Sequence, residues 1–563
     1  MSARNVALVA GLFFITLATF TQGLLPMLEP QSRTTRVTAV VRTELGELKW
    51  THANATDYTP LEAEGRKIYI REGCSYCHSQ YVRPVTGETR RWGPVSQAGE
   101  YAFDLPHLFS TRRIGPDLTR VGLKVSDEWH LAHFWDPRMI VPDSIMPRFA
   151  GLFDSPKAKV RVVTDAAGLR SLERTEVTQA FFDFSKAADP RARLMLTPSP
   201  AGLLFVPERA RYPVIHTPNQ EFKGNAVRLV VITDELKALI AYVQKLGMNR
   251  GKWRDLFEPQ SFEVSQVNMH RSEEWIGYGK QEYARRCAGC HGVDGDGNGP
   301  AATFMYKTRP RDFTKGVFKF RDTPSSSLPT DGDLLRTMTR GVRGTAMPPW
   351  HELPQNARLA LLQHLKHELA VDRSDPGKPF AYFQEDRPQP PIPIGEPPVP
   401  SAEILARGAA IWKSAKCWEC HGGAGKGDGE KAAGLLDDAK FPIPPANLST
   451  GQLKSGPHVR DIFRTISTGL SGTPMPSYAD SFSEEERWAL SYYVLSLSAF
   501  LDPLTQKPLP LSPADRKELN DASTKADSSE KAYRPQLLGP AEGPGSAYAK
   551  RRGIEQPGVS WKK

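Results

Sequence analysis

Residues 6–25 form an unbroken run of uncharged and mostly apolar positions, VALVAGLFFITLATFTQGLL, with Arg4 before it and Pro26, Glu29 and Pro30 after it. As a helix rising ~1.5 Å per residue it spans ~30 Å, the thickness of a bilayer core. It is longer than the apolar core of a cleaved signal, and no small-residue cleavage pattern follows. The pattern therefore predicts a retained anchor over 5–28, and no later stretch is long and apolar enough to span again. Residues 26–60 read as a polar connector with an extended piece at 36–41. Residues 233–246 read as a helix: Leu236, Leu239, Ile240, Val243 and Leu246 share one face, Thr233 caps it and Gly247 stops it. Residues 356–369 and 483–500 also predict helices, the second opened by a Ser483/Glu486 capping box. Strand-like fragments at 160–163 and 227–231 lie near the ends of a cysteine-free insert at 151–229, whose fold stays unassigned. Nine prolines between 376 and 400 predict an extended, semi-rigid linker. The stretch 501–563, rich in proline, serine and charge, is expected to be disordered.

The chain has 563 residues, which suggests roughly four domains. A mean hydropathy of −0.43 excludes a polytopic membrane protein but not a single anchor. With 45 glycines and 48 prolines, small loop-rich domains are favoured over one large sheet. The net charge of +10 is spread along the chain. Clusters such as Arg90-Arg91, Arg112-Arg113 and Lys550-Arg551-Arg552 are too small for a nucleic-acid footprint, so a solvated basic surface and no nucleic-acid partner are expected.

The six cysteines fall into three C-x-x-C-H motifs: Cys74-Cys77-His78, Cys287-Cys290-His291 and Cys417-Cys420-His421. This is the attachment signal of c-type haem. Two thiols on one helical turn reach the two vinyl groups of one porphyrin, and the next residue, histidine, lies beneath the ring as an iron ligand. A thioredoxin-like pair needs no adjacent histidine, and a structural zinc site needs four ligands that no single pair supplies. Three covalently bound haems are therefore expected. Each motif is followed by an [S/T]-x-M-P loop, which nominates Met146, Met347 and Met475 as sixth ligands. Met139 and His133 are weaker candidates for the first iron, and Met338 for the second. Between histidine and methionine a third element recurs: Gly115-Pro116-Asp117, Pro310-Arg311-Asp312 and Pro445-Ala446-Asn447, each followed by Leu or Phe and then Ser or Thr. A backbone carbonyl in such a loop can accept the histidine Nδ1–H and orient the ring. Histidine plus methionine fills both axial positions, so the irons should carry electrons without catalysis of their own. The run Asp294-Gly295-Asp296-Gly297-Asn298-Gly299 imitates an EF-hand loop, but Met305 stands where glutamate is required and a glycine-rich loop is the reading.

The expected fold class is mainly α: one N-terminal transmembrane helix followed by three small cytochrome c-type helical haem domains, at 61–260, 270–370 and 401–500. The first of these resembles the monohaem subunit of cbb3-type cytochrome c oxidases. The resemblance rests on residues 64–74, His78-Ser79-Gln80, Arg83-Pro84, residues 98–101, 113–118 and 126–130, and Pro142-Asp143-Ser144-Ile145-Met146-Pro147. The two later domains are similar to class I cytochromes c, as in the dihaem subunit of the same oxidases. This resemblance implies an electron-transfer subunit beside a haem–copper catalytic subunit that reduces dioxygen. It also implies that Cys74, Cys77, His78 and Met146 hold the haem nearest that partner. The donor expected is a periplasmic cytochrome or a quinol-oxidising complex. Covalent haem attachment puts residues 30–563 on the periplasmic side of a bacterial inner membrane, which outweighs the arginines at 33, 36 and 42. The competing readings are the cytochrome subunit of a nitric oxide reductase, a free membrane-anchored shuttle and a multihaem peroxidase. The third domain, beyond the proline linker, is expected to reach farthest from the anchor, with electrons arriving through the haems at His421 and His291 and leaving through that at His78.

Overall fold

The computed structural model describes residues 2–28, 34–42, 48–85, 88–154, 159–164, 170–177, 182–183, 203–207, 226–251, 271–305, 308–375, 377–439 and 443–498. The 501–563 segment expected to be disordered lies outside these residues. The apolar N-terminal run is a helix over Ala3–Ala18, capped by Ser2 and continued by a π-turn over Thr19–Leu24. Leu12, Phe13, Phe14 and Ile15 are exposed along it, as a helix surrounded by lipid would be. The polar connector holds a hairpin, Arg36–Arg42 antiparallel to Leu48–Asn54. Buried Arg250 clamps it, donating from Nε to the Thr38 carbonyl at 2.7 Å with its guanidinium over the Trp50 ring.

Three helical modules follow. Each begins with a leading helix (Pro60–Arg71, Glu273–Arg286, Ala402–Ser414) and ends with a closing helix (Asp234–Lys245, Gln355–His364, Glu484–Ser496). The caps are those the sequence favours: Thr233 accepts from the Leu236 amide, and Ser483 with Glu486 forms a capping box. The closing helix of the second module runs on as a π-turn over Leu365–Leu369. Leading and closing helices cross at a glycine in every module. An added Cβ would stand 1.9 Å from the Ala238 carbonyl oxygen at Gly65, 2.0 Å from that of Ala360 at Gly279, and 2.2 Å from that of Ala489 at Gly408. Only a hydrogen fits there, so the backbones touch and the two helices form the frame of each core.

The insert in the first module contains strands. Ala226–Ile232 pairs antiparallel with Phe153–Asp154, Phe182–Asp183 and Leu203–Pro207, and Lys159–Thr164 pairs with Arg170–Val177. Both strand-like fragments of the sequence are strands.

The modules pack in series. Ala301, Phe304, Met305 and Ala346 of the second complete the hydrophobic core of the first, beside Ile68, Leu131 and Trp135. Phe304 is fully buried, which is worth ~1.5–3 kcal/mol. The third module docks on the second: the Arg340 guanidinium forks onto buried Asp461 at 3.0 and 2.9 Å, and Arg321 donates to the Thr468 carbonyl. The proline-rich stretch is a strap along both modules. The Gln389 amide donates to Ser327 Oγ, the Ile392 amide to the Asp322 carbonyl, and Tyr492 Oη to the Pro398 carbonyl. Its start is shorter than the proline pattern suggests, because Val371–Asp372 pairs with Phe380–Ala381 and brings Tyr382 and Phe383 onto the second core. The linker is thus not an extended spacer: contacts between residues distant in sequence dock the third module on the second. All three modules line one cavity of about 190 Å³, the first through Glu128 and Gln244, the second through Met305 and Thr345, the third through Gln452.

Candidate haem sites

Each leading helix stops immediately before its motif, at left-handed Gly73 in the first module and at the Cys287 and Ala415 caps in the others. The motif then closes one further helical turn. The His78 amide donates to the Cys74 carbonyl at 3.0 Å, His291 to Cys287 at 2.8 Å and His421 to Cys417 at 3.0 Å. Both cysteines and the histidine of each motif therefore sit on a single turn. All six thiols are unpaired. Burial pushes Cys74, Cys287 and Cys290 up to about 12 and Cys417 to about 11, so these sulfurs stay protonated at neutral pH.

The recurring proline loops meet the histidines as the repeat implies. The Nδ1 of His78 lies 2.7 Å from the Pro116 carbonyl, that of His291 lies 3.1 Å from Arg311 and that of His421 lies 3.2 Å from Ala446. A carbonyl only accepts, so Nδ1 carries the proton and Nε2 keeps the lone pair a metal would use. Burial lowers all three imidazoles, His291 to about 4, which keeps the rings neutral. The acid or amide after each carbonyl explains why the loop recurs. Asp117 accepts from the Thr119 amide, Asp312 from Thr314 and Asn447 from Ser449, at 2.9, 2.9 and 3.1 Å. These Asx turns hold the carbonyl toward the ring. In the first module Gly115 supplies the flat side of the seat: a Cβ there would lie 2.2 Å from His78 Cε1.

The glycine-rich runs after the second and third motifs fold the same way. The Gly297 amide donates to the His291 carbonyl at 2.8 Å and Gly427 to His421 at 2.7 Å. Both glycines have φ near +75°, which an L side chain rarely adopts.

The methionine loops are also alike. Ser144, Thr345 and Thr473 accept through their hydroxyls from the amides of Met146, Met347 and Met475, at 3.2, 3.1 and 3.2 Å. The serine or threonine of [S/T]-x-M thus builds a turn that fixes the methionine backbone. All three methionines are half-buried. Of the weaker candidates, Met139 is wholly buried in the core of the first module, and Met338 packs against the core of the second. His133 stacks on Trp129 with ring centroids 4.6 Å apart, and burial lowers it to about 3.

The donor set fits a c-type haem in each module: two thiols on one turn, a neutral histidine with Nε2 uncommitted, and a thioether on a fixed loop. A bare-metal site is not formed from these groups, since the described residues contain no cluster of three or more His, Cys, Asp or Glu able to hold an ion. The helix-crossing glycines and the Asx turns are site features that reading single motifs missed. Aligning the leading helices of the three repeats brings the crossing glycines into register, whereas the Asx turns show only in the structure.

Comparison with known proteins follows this division. Residues 40–249 match the family of the cytochrome c oxidase mono-haem subunit, FixO. Residues 277–365 match cytochrome c oxidase, cbb3-type, subunit III, and residues 405–498 match cytochrome c. Among solved structures, a chain of the Kuenenia stuttgartiensis reducing HAO-like protein complex Kustc0457/Kustc0458 is 38% identical, covering 42% of this chain and 99% of that chain with a TM-score of 0.37. The curated proteins gave no match. With one C-x-x-C-H turn and one histidine seat inside each of the three matched segments, the matches support a FixO-like protein fused to cytochrome c domains.

Proposed function

We propose that this chain is a membrane-anchored trihaem electron-transfer subunit of a cbb3-type haem–copper oxidase. In this reading it carries electrons from a periplasmic cytochrome or quinol-oxidising complex to the catalytic subunit that reduces dioxygen. The observation that carries it is the threefold recurrence of one geometry: the C-x-x-C-H turn, the Nδ1–carbonyl bond and the hydroxyl-braced methionine loop. Cys74 with Cys77, Cys287 with Cys290 and Cys417 with Cys420 would hold the three porphyrins. His78, His291 and His421 would each offer an imidazole to the iron of their module, and Met146, Met347 and Met475 a thioether.

The haem, once bound, supplies a one-electron iron couple. The residues of the chain do the rest. The carbonyls of Pro116, Arg311 and Ala446 hold each imidazole in one tautomer, raise its basicity and keep its orientation fixed between redox states. Thioethers at these positions would favour the reduced state of the haems. The apolar helix Ala3–Leu24 would hold the first module at the membrane, and serial packing of the modules gives electrons a continuous protein path.

The nitric oxide reductase reading differs in its partner, and the FixO match over 40–249 favours the oxidase. Purification through this chain with its anchor intact tests the choice. A haem–copper subunit should co-purify and the complex should consume oxygen. Turnover on nitric oxide with none on oxygen would overturn the assignment, and isolation of the chain alone would favour a free shuttle.

A further inference from the structure

The carbonyl that accepts from the histidine Nδ1 belongs to Pro116 in the first module, to Ala446 in the third and to Arg311 in the second. Of the three, only Arg311 has a side chain long enough to leave its own module. It runs into the seam between the second and third modules. There Arg311 Nη1 lies 3.6 Å from the point that a Cβ on Gly472 would occupy, and Asp438 Oδ2 stands at the same distance from that point. Val317 Cγ1 closes in on it at 3.0 Å. Gly472 belongs to the methionine loop of the third module. Its φ is +75°, its carbonyl accepts from the Asp438 amide at 3.2 Å, and the loop around it is closed by the Leu470 amide on the Met475 carbonyl at 3.1 Å. Arg311 thus holds its own histidine with its backbone and meets the third module's methionine loop with its side chain.

The methionine loop of the second module is met from the same side. Gly344, three residues before Met347, would place a Cβ 3.3 Å from Cβ of Gln452 in the third module. The third module therefore rests on both the histidine loop and the methionine loop of the second. Charge crosses the seam as well. Burial lowers the Arg311 guanidinium, against the carboxylates of Asp437, Asp312 and Asp438. A guanidinium is not deprotonated in proteins, so a cation stays at the seam. Its charge is felt at the His291 ring: burial lowers that imidazole, the Arg311 carbonyl opposes the shift and the Arg311 charge adds to it.

We infer that Arg311 is a positioning residue through which the docked third module sets the reduction potential of the second haem. Its carbonyl orients His291, and its guanidinium, packed on the Gly472 turn and facing Asp437 and Asp438, fixes the charge beside that ring. The inference rests on the haem assignment at His291.

The test is a redox titration of the full chain followed by electron paramagnetic resonance, with haem content measured on the same preparations. The signal of the second haem is the one lost when Cys287 and Cys290 are replaced by serine. Arg311→Gln removes a buried cation beside an iron whose reduced form carries one positive charge less, so the midpoint potential of that haem should fall. Arg311→Lys keeps the charge and should stay near wild type. Asp437→Asn, a change made in the third module, should raise the potential of the second haem. A general loosening of the seam would move Arg311→Gln and Asp437→Asn in the same direction, so opposite shifts identify the charge linkage. Should Arg311→Gln lose the second haem, Asp437→Asn alone decides, by a rise or by none. Haem-loaded variants whose second haem keeps its potential, or shifts the same way in both, or whose shifts fall only on another haem, would overturn the inference. Absence of haem from the second module of the wild type would overturn the haem assignment instead.

Discussion

The histidine seat is where single residues decide most. Gly115 lies so close to the His78 ring that Gly115→Ala must displace either the loop or the imidazole. The two thiols remain, so haem attachment should persist, while the low-spin spectrum of the first haem should change. Electron paramagnetic resonance of the variant checks this, and an unaltered signal would mean that His78 is not seated by this loop. If the methionines ligate iron as proposed, Met347→Ala or Met475→Ala should open one iron, lower its potential and let it bind carbon monoxide when reduced. Unchanged spectra in both variants would refute the methionine assignment. At this scale the recurring residues were legible, and each copy takes the same local turns. The cysteines, histidines and methionines stand at repeating intervals, and the proline loops were visible as a third repeat. Their cause was not, because an Asx turn depends on a side chain bonding to an amide two residues on, which no spacing records.

Helices and their contacts form the next scale. The crossing glycines predict that Gly65→Ala, Gly279→Ala and Gly408→Ala each force a closing helix away from its partner, a loss of ~1–3 kcal/mol for overpacking. Denaturant unfolding of each variant measures it. Sequence reading recovered the closing helices, with their caps, but passed over these glycines, since a lone glycine in a helix reads only as weak propensity. It also drew the proline stretch as a spacer. The contacts that make it a strap, and that fold residues 371–385 onto the second module, join positions far apart in sequence and leave no local pattern.

The seam ion pairs give a second prediction at this scale. Burial acts to raise the Asp461 carboxyl, but Arg340 and Arg464 outweigh it and hold the group well below the usual carboxylate range. A depressed folded value means the stabilisation is complete above the unfolded carboxylate pKa of ~3.9 and is lost as pH falls through the folded value. Docking of the third module should therefore survive mild acid and fail only in strong acid. Asp461→Asn leaves Arg340 buried with a neutral partner and should cost ~3–5 kcal/mol at neutral pH. Its unfolding should also lose the acid-dependent step of the wild type, and a variant with wild-type stability and pH profile would show that the pair does not hold the seam.

At the scale of the whole molecule, an apolar helix is followed by three modules packed in chain order, the first completed by residues of the second. The proposed direction of flow, from His421 and His291 toward His78, then runs through a third module docked on the second. In an assembled complex, His78→Ala should abolish oxygen consumption, and intact consumption would refute the route. All of this depends on one haem per motif. A pyridine haemochrome assay on the purified full chain, set against its polypeptide concentration, tests that most directly. Three haems per chain are predicted, falling to two when both cysteines of any one motif are replaced by serine; a wild-type value of two or fewer would contradict the account.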